Sequence, residues 1–273
     1  MKKQKLAVVF AALLTLVGFS SCLNSEDDGI RQYYGYTEVN SGFTSVTFST
    51  PDGVEFVPSK SITSSSNSKL AFIYCQYNAN EVTTDSKKLS VTLLSDPVYL
   101  KSLDNTGGSV LPAETSTVSL YSLGENDGGI WGFNKYLILM PSYKVKKGTT
   151  QENLSSELTN HQLSVYYVPE DDDTNAKTLK LYLRYQIAGV GTSSTEENVD
   201  DTESWASDYT IQYSDAVYVT LSNFIARYQS AHGAEPEKIT VEYEVNNSTS
   251  FPSIAKKQTK TVTYTLYKET TNN

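Results

Sequence analysis

Alternation at a period of two most constrains how this chain can fold. In Leu179-Lys180-Leu181-Tyr182-Leu183-Arg184-Tyr185-Gln186-Ile187, every second residue from Leu179 to Ile187 is large and apolar. A strand points successive side chains to opposite faces, so this pattern lays one face on a core. Ile239 to Val245, Thr261 to Tyr267 and Leu89 to Leu93 repeat it, as does Phe43 to Ser49 with Thr44, Val46 and Phe48 on one face. Lys69 to Tyr77, Ile130 to Met140, Gln162 to Val168 and Val217 to Leu221 are dense enough in apolar residues for central strands. Clusters of Gly, Asn, Asp and Ser punctuate these runs as turns. Helical periodicity is confined to Ser222 to Gln229, a short helix with Ser222 as its expected cap. The chain is therefore expected to be all-β, and its 20 tyrosines suit strands further.

The strands fall into two groups. Phe43 to Ser49, a turn at Pro51-Asp52-Gly53, Val54 to Val57, Lys69 to Tyr77, Leu89 to Leu93 and Val98 to Leu103 form the first. Five short strands in such a span match the scale of a small closed barrel such as an OB-fold. Breaks at Asp104 to Gly108 and at Gly124 to Gly129 precede the second group, whose strands and turns read as a β-sandwich. The expected order is an OB-like barrel over 36–104, a linker over 105–128, a β-sandwich over 129–268 and a tail over 269–273.

The N-terminus reads as an address. Lys2, Lys3 and Lys5 precede an apolar run from Leu6 to Phe19, shorter than the roughly 20 residues a spanning helix needs. Such a run is a secretory signal. Phe19 stands three residues before Cys22, and small Ser20 and Ser21 follow it. That is a lipobox, so residues 1–21 are expected to be removed and Cys22 to carry lipid, with 22–35 as an acidic tether. Each buried acyl CH₂ contributes about 0.8 kcal/mol, and two or more chains hold durably. Ser25-Glu26-Asp27-Asp28 resembles the acidic export signal of Bacteroidetes lipoproteins. This resemblance implies an outer-membrane, lipid-anchored protein at the cell surface, and Leu23 stands where an inner-membrane retention signal places Asp.

Charge and cysteine count narrow the function classes. The 273-residue chain has a net charge of −9, and loss of the lysines of residues 1–21 takes the mature form to −12. Nucleic acid is not an expected partner for so acidic a protein. Cys22 is committed to lipid, which leaves Cys75 without a disulfide partner; its apolar surroundings indicate a buried, inert thiol. His161 and His232 lack a Gly-x-Ser-x-Gly elbow and any cysteine pairs, so neither nucleophilic catalysis nor zinc is expected. Glu170 to Asp173, and Glu196-Glu197 with Asp200-Asp201, lack calcium-loop spacing and read as solvated loops. No cofactor and no metal are expected. Trp131 adjoins an apolar strand and reads as core. Trp205, in the polar run Glu203 to Ser207, is the candidate ligand contact, because an aromatic face can stack on a sugar ring.

The order of lipobox, acidic tether, barrel and sandwich resembles the NigD-like lipoproteins of Bacteroidetes. The residues carrying the resemblance are Asp52-Gly53-Val54-Glu55-Phe56-Val57-Pro58, Trp131 with Tyr136-Leu137, His161 with Leu163, and Leu179 to Arg184. Tyr185-Gln186 departs from the His-Asn expected after that arginine. The family name is tied to bacteriocin-associated loci and implies no activity for relatives in general. The expected function is a non-catalytic binding or interaction module with an unknown protein or glycan partner. A glycan-binding lipoprotein is one alternative, and a hydrolase with an unrecognised carboxylate pair is the other.

Overall fold

The computed structural model describes residues 29–42, 45–62, 67–83, 87–104, 107–124, 128–190, 203–246 and 251–268. Cys22, the Ser25 to Asp28 motif, Thr44 and the acidic stretch 196–201 lie outside them. The chain divides into two compact units between Ser102 and Leu103.

The first unit contains β1 (Ile30–Ser41), β2 (Val46–Ser49), β3 (Glu55–Pro58), β4 (Leu70–Asn78), β5 (Lys88–Leu93), β6 (Val98–Tyr99) and β7 (Lys101–Ser102). Its strands run in the order β1-β2-β3-β5-β4, and β4 pairs back onto β1, so the sheet closes. The β3–β5 pairing is parallel and the others are antiparallel. A five-stranded closed barrel of the expected OB-like class results, but its fifth strand is β1 and not the Val98 to Leu103 run, which breaks into β6, on β4, and β7; closure removes the open edges a small sheet would expose. Val46, Phe48, Phe56, Ala71, Ile73, Cys75, Leu89 and Val91 fill it. Burial pushes the Cys75 thiol up to about 12, which keeps it protonated and inert. Gly53, at φ +85°, supplies the left-handed residue of the β2–β3 turn.

The tether expected over 22–35 needs correction, since β1 begins at Ile30. Residues 30–38 of β1 pair with β4, and residues 38–41 pair with β2. One strand thus closes the barrel. Its period of two was obscured because both faces carry aromatic and polar groups, with Tyr33, Thr37 and Val39 alternating against Gln32, Tyr34, Tyr36 and Glu38.

The second unit contains β8 (Ser122–Leu123), β9 (Gly129–Trp131), β10 (Tyr136–Leu139), β11 (Pro141–Lys146), α1 (Leu154–Leu158), β12 (His161–Tyr167), β13 (Thr178–Ile187), β14 (Tyr209–Ser214), β15 (Val217–Thr220), α2 (Ser222–His232), β16 (Lys238–Val245) and β17 (Gln258–Thr265). One layer is β12-β13-β16-β17. The other combines the ladder β9-β10-β15 with the ladder β8-β11-β14; β10 continues into β11 across Met140. Leu179, Leu181, Leu183, Tyr185 and Ile187 of β13 face inward, as their alternation predicts, and share a core with Leu137, Leu139, Val217, Val219 and the inward side of β16. A β-sandwich results.

Three local expectations change. Ile130 to Met140 is a hairpin rather than one strand, because Phe133 (φ 52°) and Asn134 (φ 69°) are both left-handed and Lys135 N–H donates to Gly132 O at 3.2 Å. Asparagine tolerates that conformation, and its amide anchors the turn by bonding the Tyr267 backbone at 2.8 and 2.7 Å. Ser222 opens α2 but does not cap it; the cap position is Leu221. The stretch read as a linker also enters the core. β13 and β16 run parallel as far as Leu183 and Tyr243, and residues 118–120 continue between them. Val118 N–H bonds Tyr185 O, and Leu120 N–H bonds Glu244 O, each at 2.8 Å. Val118, Leu120 and Leu123 are buried.

Candidate functional site

Both histidines are hydrogen-bonded, His161 in the core and His232 at the end of α2. His161 opens β12 and is buried against the rings of Tyr143, Tyr185 and Tyr209. Its Nε2 lies 3.1 Å from Glu157 Oε1, and its Nδ1 lies 2.5 Å from the Tyr185 hydroxyl. Glu157 also accepts the Lys146 N–H. Burial alone would raise the Glu157 carboxyl, but these two donors outweigh it and hold the group below its ordinary value. A carboxylate at Nε2 makes that nitrogen the donor, so Nδ1 accepts from Tyr185. Burial pushes the Tyr185 phenol well above its usual range. A protonated, enclosed phenol cannot reach a substrate, so the chain Glu157–His161–Tyr185 is a core hydrogen-bond relay.

A second, partly buried network lies at the end of α2. Asp172 accepts from the Tyr167 hydroxyl at 2.7 Å, from Lys180 N–H at 2.8 Å and from His232 Nε2 at 2.9 Å. Asp171 accepts the Tyr182 hydroxyl, and Asp173 accepts Ala176 N–H at 2.9 Å. Within the acidic run 170–173, Asp172 is thus a buried acceptor, while Glu170, Asp171 and Asp173 stand exposed as expected of a solvated loop. Among the described residues, no three His, Cys, Asp or Glu side chains are grouped to hold a metal ion.

Beside this network lies an open cleft of about 510 Å³. Val165 and Phe224 give it apolar walls, and Asp104, Asn223, Arg227 and Ser230 give it polar ones. Asp104 accepts Thr220 N–H at 2.7 Å and the Thr220 hydroxyl at 2.6 Å, which fastens the start of α2 to the sheet. Gly107 closes one side against β12. A Cβ there would lie 2.1 Å from Val165 O, so only glycine fits without a backbone shift. The exposed Arg227 guanidinium lies 4.7 Å over the Tyr167 ring, whose edge-on neighbour is Phe224 at 5.9 Å. Cation–π contact holds the fork in place while leaving its N–H donors to a ligand. Burial and the Asp172 bond keep the Tyr167 phenol protonated. The cleft can therefore hold a polar or anionic group at Arg227, with Asn223 and Ser230 hydrogen bonding beside it. Sequence reading did not single out these residues. The signal available was the 223, 227, 230 spacing, which aligns polar groups on one helix face.

Trp205 lies outside this cleft. It sits in a short 3₁₀ segment (Glu203–Asp208), half-buried against the edge of the core and edge-on to Tyr209 at 5.8 Å. Trp131 is half-buried on β9, 6.0 Å from Tyr136.

The outer face of the four-stranded layer carries a ladder of charges. Glu242 receives Lys180 Nζ at 2.9 Å and Arg184 Nη2 at 2.6 Å, and Lys257 Nζ reaches Glu244 at 3.2 Å. The Tyr182 ring lies between the Lys180 and Arg184 cations, at 4.7 and 5.1 Å. These ion pairs tie β13, β16 and the chain before β17 together.

No family model and no curated protein matches the chain. Among solved structures, a protein of Bacteroides fragilis described as a candidate lipoprotein is similar at TM-score 0.67 and 22% identity, over 88% of this chain and all (100%) of that one. The two share a fold. Also similar are a protein of unknown function from Bacteroides vulgatus (TM-score 0.49, 12% identity, 88% of this chain and 92% of that one) and a NigD-like immunity protein from Bacteroides caccae (TM-score 0.43, 12% identity, 82% and 91%).

Proposed function

We propose that this protein is a lipid-anchored lipoprotein of the bacterial envelope, held at the outer membrane through Cys22 and displayed at the cell surface. It acts there as a non-catalytic binding module, and the cleft beside α2 is its ligand site. The observation that carries this reading is the composition of the cleft. Arg227, Asn223 and Ser230 offer donors, while Asp104 is the single carboxylate among the lining residues and already accepts two bonds from Thr220. Glycoside hydrolysis needs two carboxylates across the bond, so recognition suits the cleft better than turnover. The B. fragilis neighbour is described as a candidate lipoprotein, in keeping with the lipobox.

Two measurements test the proposal. Cys22→Ala should move the protein from the membrane fraction to the soluble fraction; retention on membranes would sink the anchor. The released full-length Cys22→Ala chain should then bind components of a glycan array or an envelope-protein extract, and adding Arg227→Ala should weaken that binding about tenfold or more, as expected on losing a charged hydrogen bond worth roughly 1.5–3 kcal/mol. Arg227 is exposed on α2, so the variant folds. Unchanged binding would remove the cleft from the account. Turnover of any array glycan would replace the reading with the hydrolase. The same array with Trp205→Ala tests the glycan alternative, which needs that ring to contribute.

A further inference from the structure

A guanidinium with no acid beside it stands out in a chain that has 31 Asp and Glu against 22 Lys and Arg. Elsewhere in the sandwich the cations meet carboxylates: Lys180 and Arg184 reach Glu242, and Lys257 reaches Glu244. Arg227 differs. Among the described residues it makes no ion pair and no hydrogen bond, and its guanidinium lies 4.7 Å from the centre of the Tyr167 ring. Tyr167 is buried, and Asp172 holds its hydroxyl at 2.7 Å. The guanidinium thus rests on a fixed ring with its N–H donors unused. A planar fork of donors matches a carboxylate, and its single positive charge balances a single negative one. A phosphate dianion would bring a second charge into an acidic protein with no cation to meet it.

The rest of the cleft says what carries that carboxylate. Asn223, Arg227 and Ser230 are exposed on one face of α2, in a row about 10 Å long. Arg227 is in the middle of the row, so polar groups flank the carboxylate position on both sides. An amide and a hydroxyl each donate and accept, which matches the hydroxyls of sugars. Val165 and Phe224 supply an apolar wall for the C–H face of a sugar ring. The recurring modes of peptide capture suit the cleft less well. Strand addition needs an open edge, but beside the cleft Tyr167 N–H bonds Gly108 O at 3.0 Å, and Gly107 lies too close to Val165 O to admit a Cβ. An amphipathic helix needs an apolar groove, whereas the row along α2 is polar. A C-terminal carboxylate would end its chain at Arg227 and leave half of the row unmet.

We propose, on the reading that this cleft is the ligand site, that it binds a glycan through one isolated acidic sugar. The carboxylate of that sugar sits on Arg227, and hydroxyls on either side of it meet Asn223 and Ser230. A continuous run of acidic sugars is disfavoured, because the acidic protein repels a polyanion. Trp205 lies outside the cleft and takes no part.

The test is calorimetric titration of the unanchored full-length Cys22→Ala chain. The probes are sialyllactose and a glucuronoxylan oligosaccharide, each carrying a single carboxylate, and the methyl ester of each. At least one acid should bind tenfold or more tightly than its ester. Arg227→Gln should erase that preference, Asn223→Ala should weaken acid and ester alike, and Trp205→Ala should change neither. Equal binding of acid and ester overturns the acidic sugar and leaves the cleft as a neutral glycan site. A peptide with one internal glutamate that binds as tightly as the acids overturns the sugar in favour of a protein partner. Failure of both acids to bind overturns the inference too. The cleft itself is then judged separately, by whether Arg227→Ala weakens binding to the envelope-protein extract.

Discussion

Glu242→Ala is expected to destabilise the sandwich by about 3 kcal/mol, the low end of the cost of removing one partner from a buried ion pair, because Glu242 is itself only half-buried. Glu242 takes both Lys180 and Arg184, and the Arg184 side chain is only 9% exposed. Without Glu242 the guanidinium keeps Glu244 at 3.9 Å as its nearest carboxylate. For a unit of this size the loss corresponds to a fall in Tm of about 10 °C. Trp131 and Trp205 both belong to the sandwich unit, so their emission follows its melting without a contribution from the barrel. A double substitution, Glu242→Leu with Arg184→Leu, should recover most of the loss, since an apolar pair avoids the stranded charge. A single-variant cost below about 1 kcal/mol would mean that water screens the ladder as on an open surface. Acid should mimic the single variant. Burial raises the Glu242 carboxyl, but its bonds to Lys180 and Arg184 outweigh burial and leave it below 4.5. The folded-state value is depressed, so this stability is present above the unfolded value and is lost as pH falls through the folded one. The wild-type melting point should decline below about pH 4.5, more steeply than in the double variant.

His161→Ala is expected to cost about 3 kcal/mol, from the cavity, from the loss of the Tyr185 hydroxyl's acceptor and from a Glu157 carboxylate that keeps only the Lys146 N–H. The imidazole is 4% exposed, stacks on Tyr143 at 5.3 Å and joins Glu157 to Tyr185. The same tryptophan signal reads the loss, and any ligand affinity measured through the cleft should be unchanged once the variant is folded. A variant that melted like wild type but lost function would return His161 to the list of acting residues. Glu157 contributes with the same pH sign as Glu242, because its carboxyl is also held below 4.5 despite burial.

Much of the fold was legible before the structure. Leu179 to Ile187, Ile239 to Val245, Leu89 to Leu93 and the Asp52-Gly53 turn each have one apolar face or one left-handed residue, and each forms the element its pattern names. The misses share a different cause. β1 carries aromatic residues on both faces, because one lines the barrel and the other lies outside it. β11 shows no period of two, because Tyr143, Lys144 and Val145 are all buried. Lys144 lies over the Tyr121 ring at 4.5 Å, and burial lowers its pKa; a lysine with that fate looks like any surface lysine in sequence. The relay through His161 joins Glu157, four residues before it, to Tyr185, 24 residues after it. The cleft draws on Asp104, Val165 and Arg227, which only the pairing of distant strands brings together.

The alternation at a period of two, by itself, determined an all-β protein in two groups of strands, because the direction of a side chain on a strand depends only on its neighbours in sequence. Closure of the barrel by β1, entry of residues 118–120 between β13 and β16, and the seating of Arg227 over Tyr167 were decided by tertiary structure alone. Each depends on contacts between segments far apart in the chain; the backbone hydrogen bonds among them read almost nothing of side-chain identity, and the ring contact needs a partner that local sequence does not name.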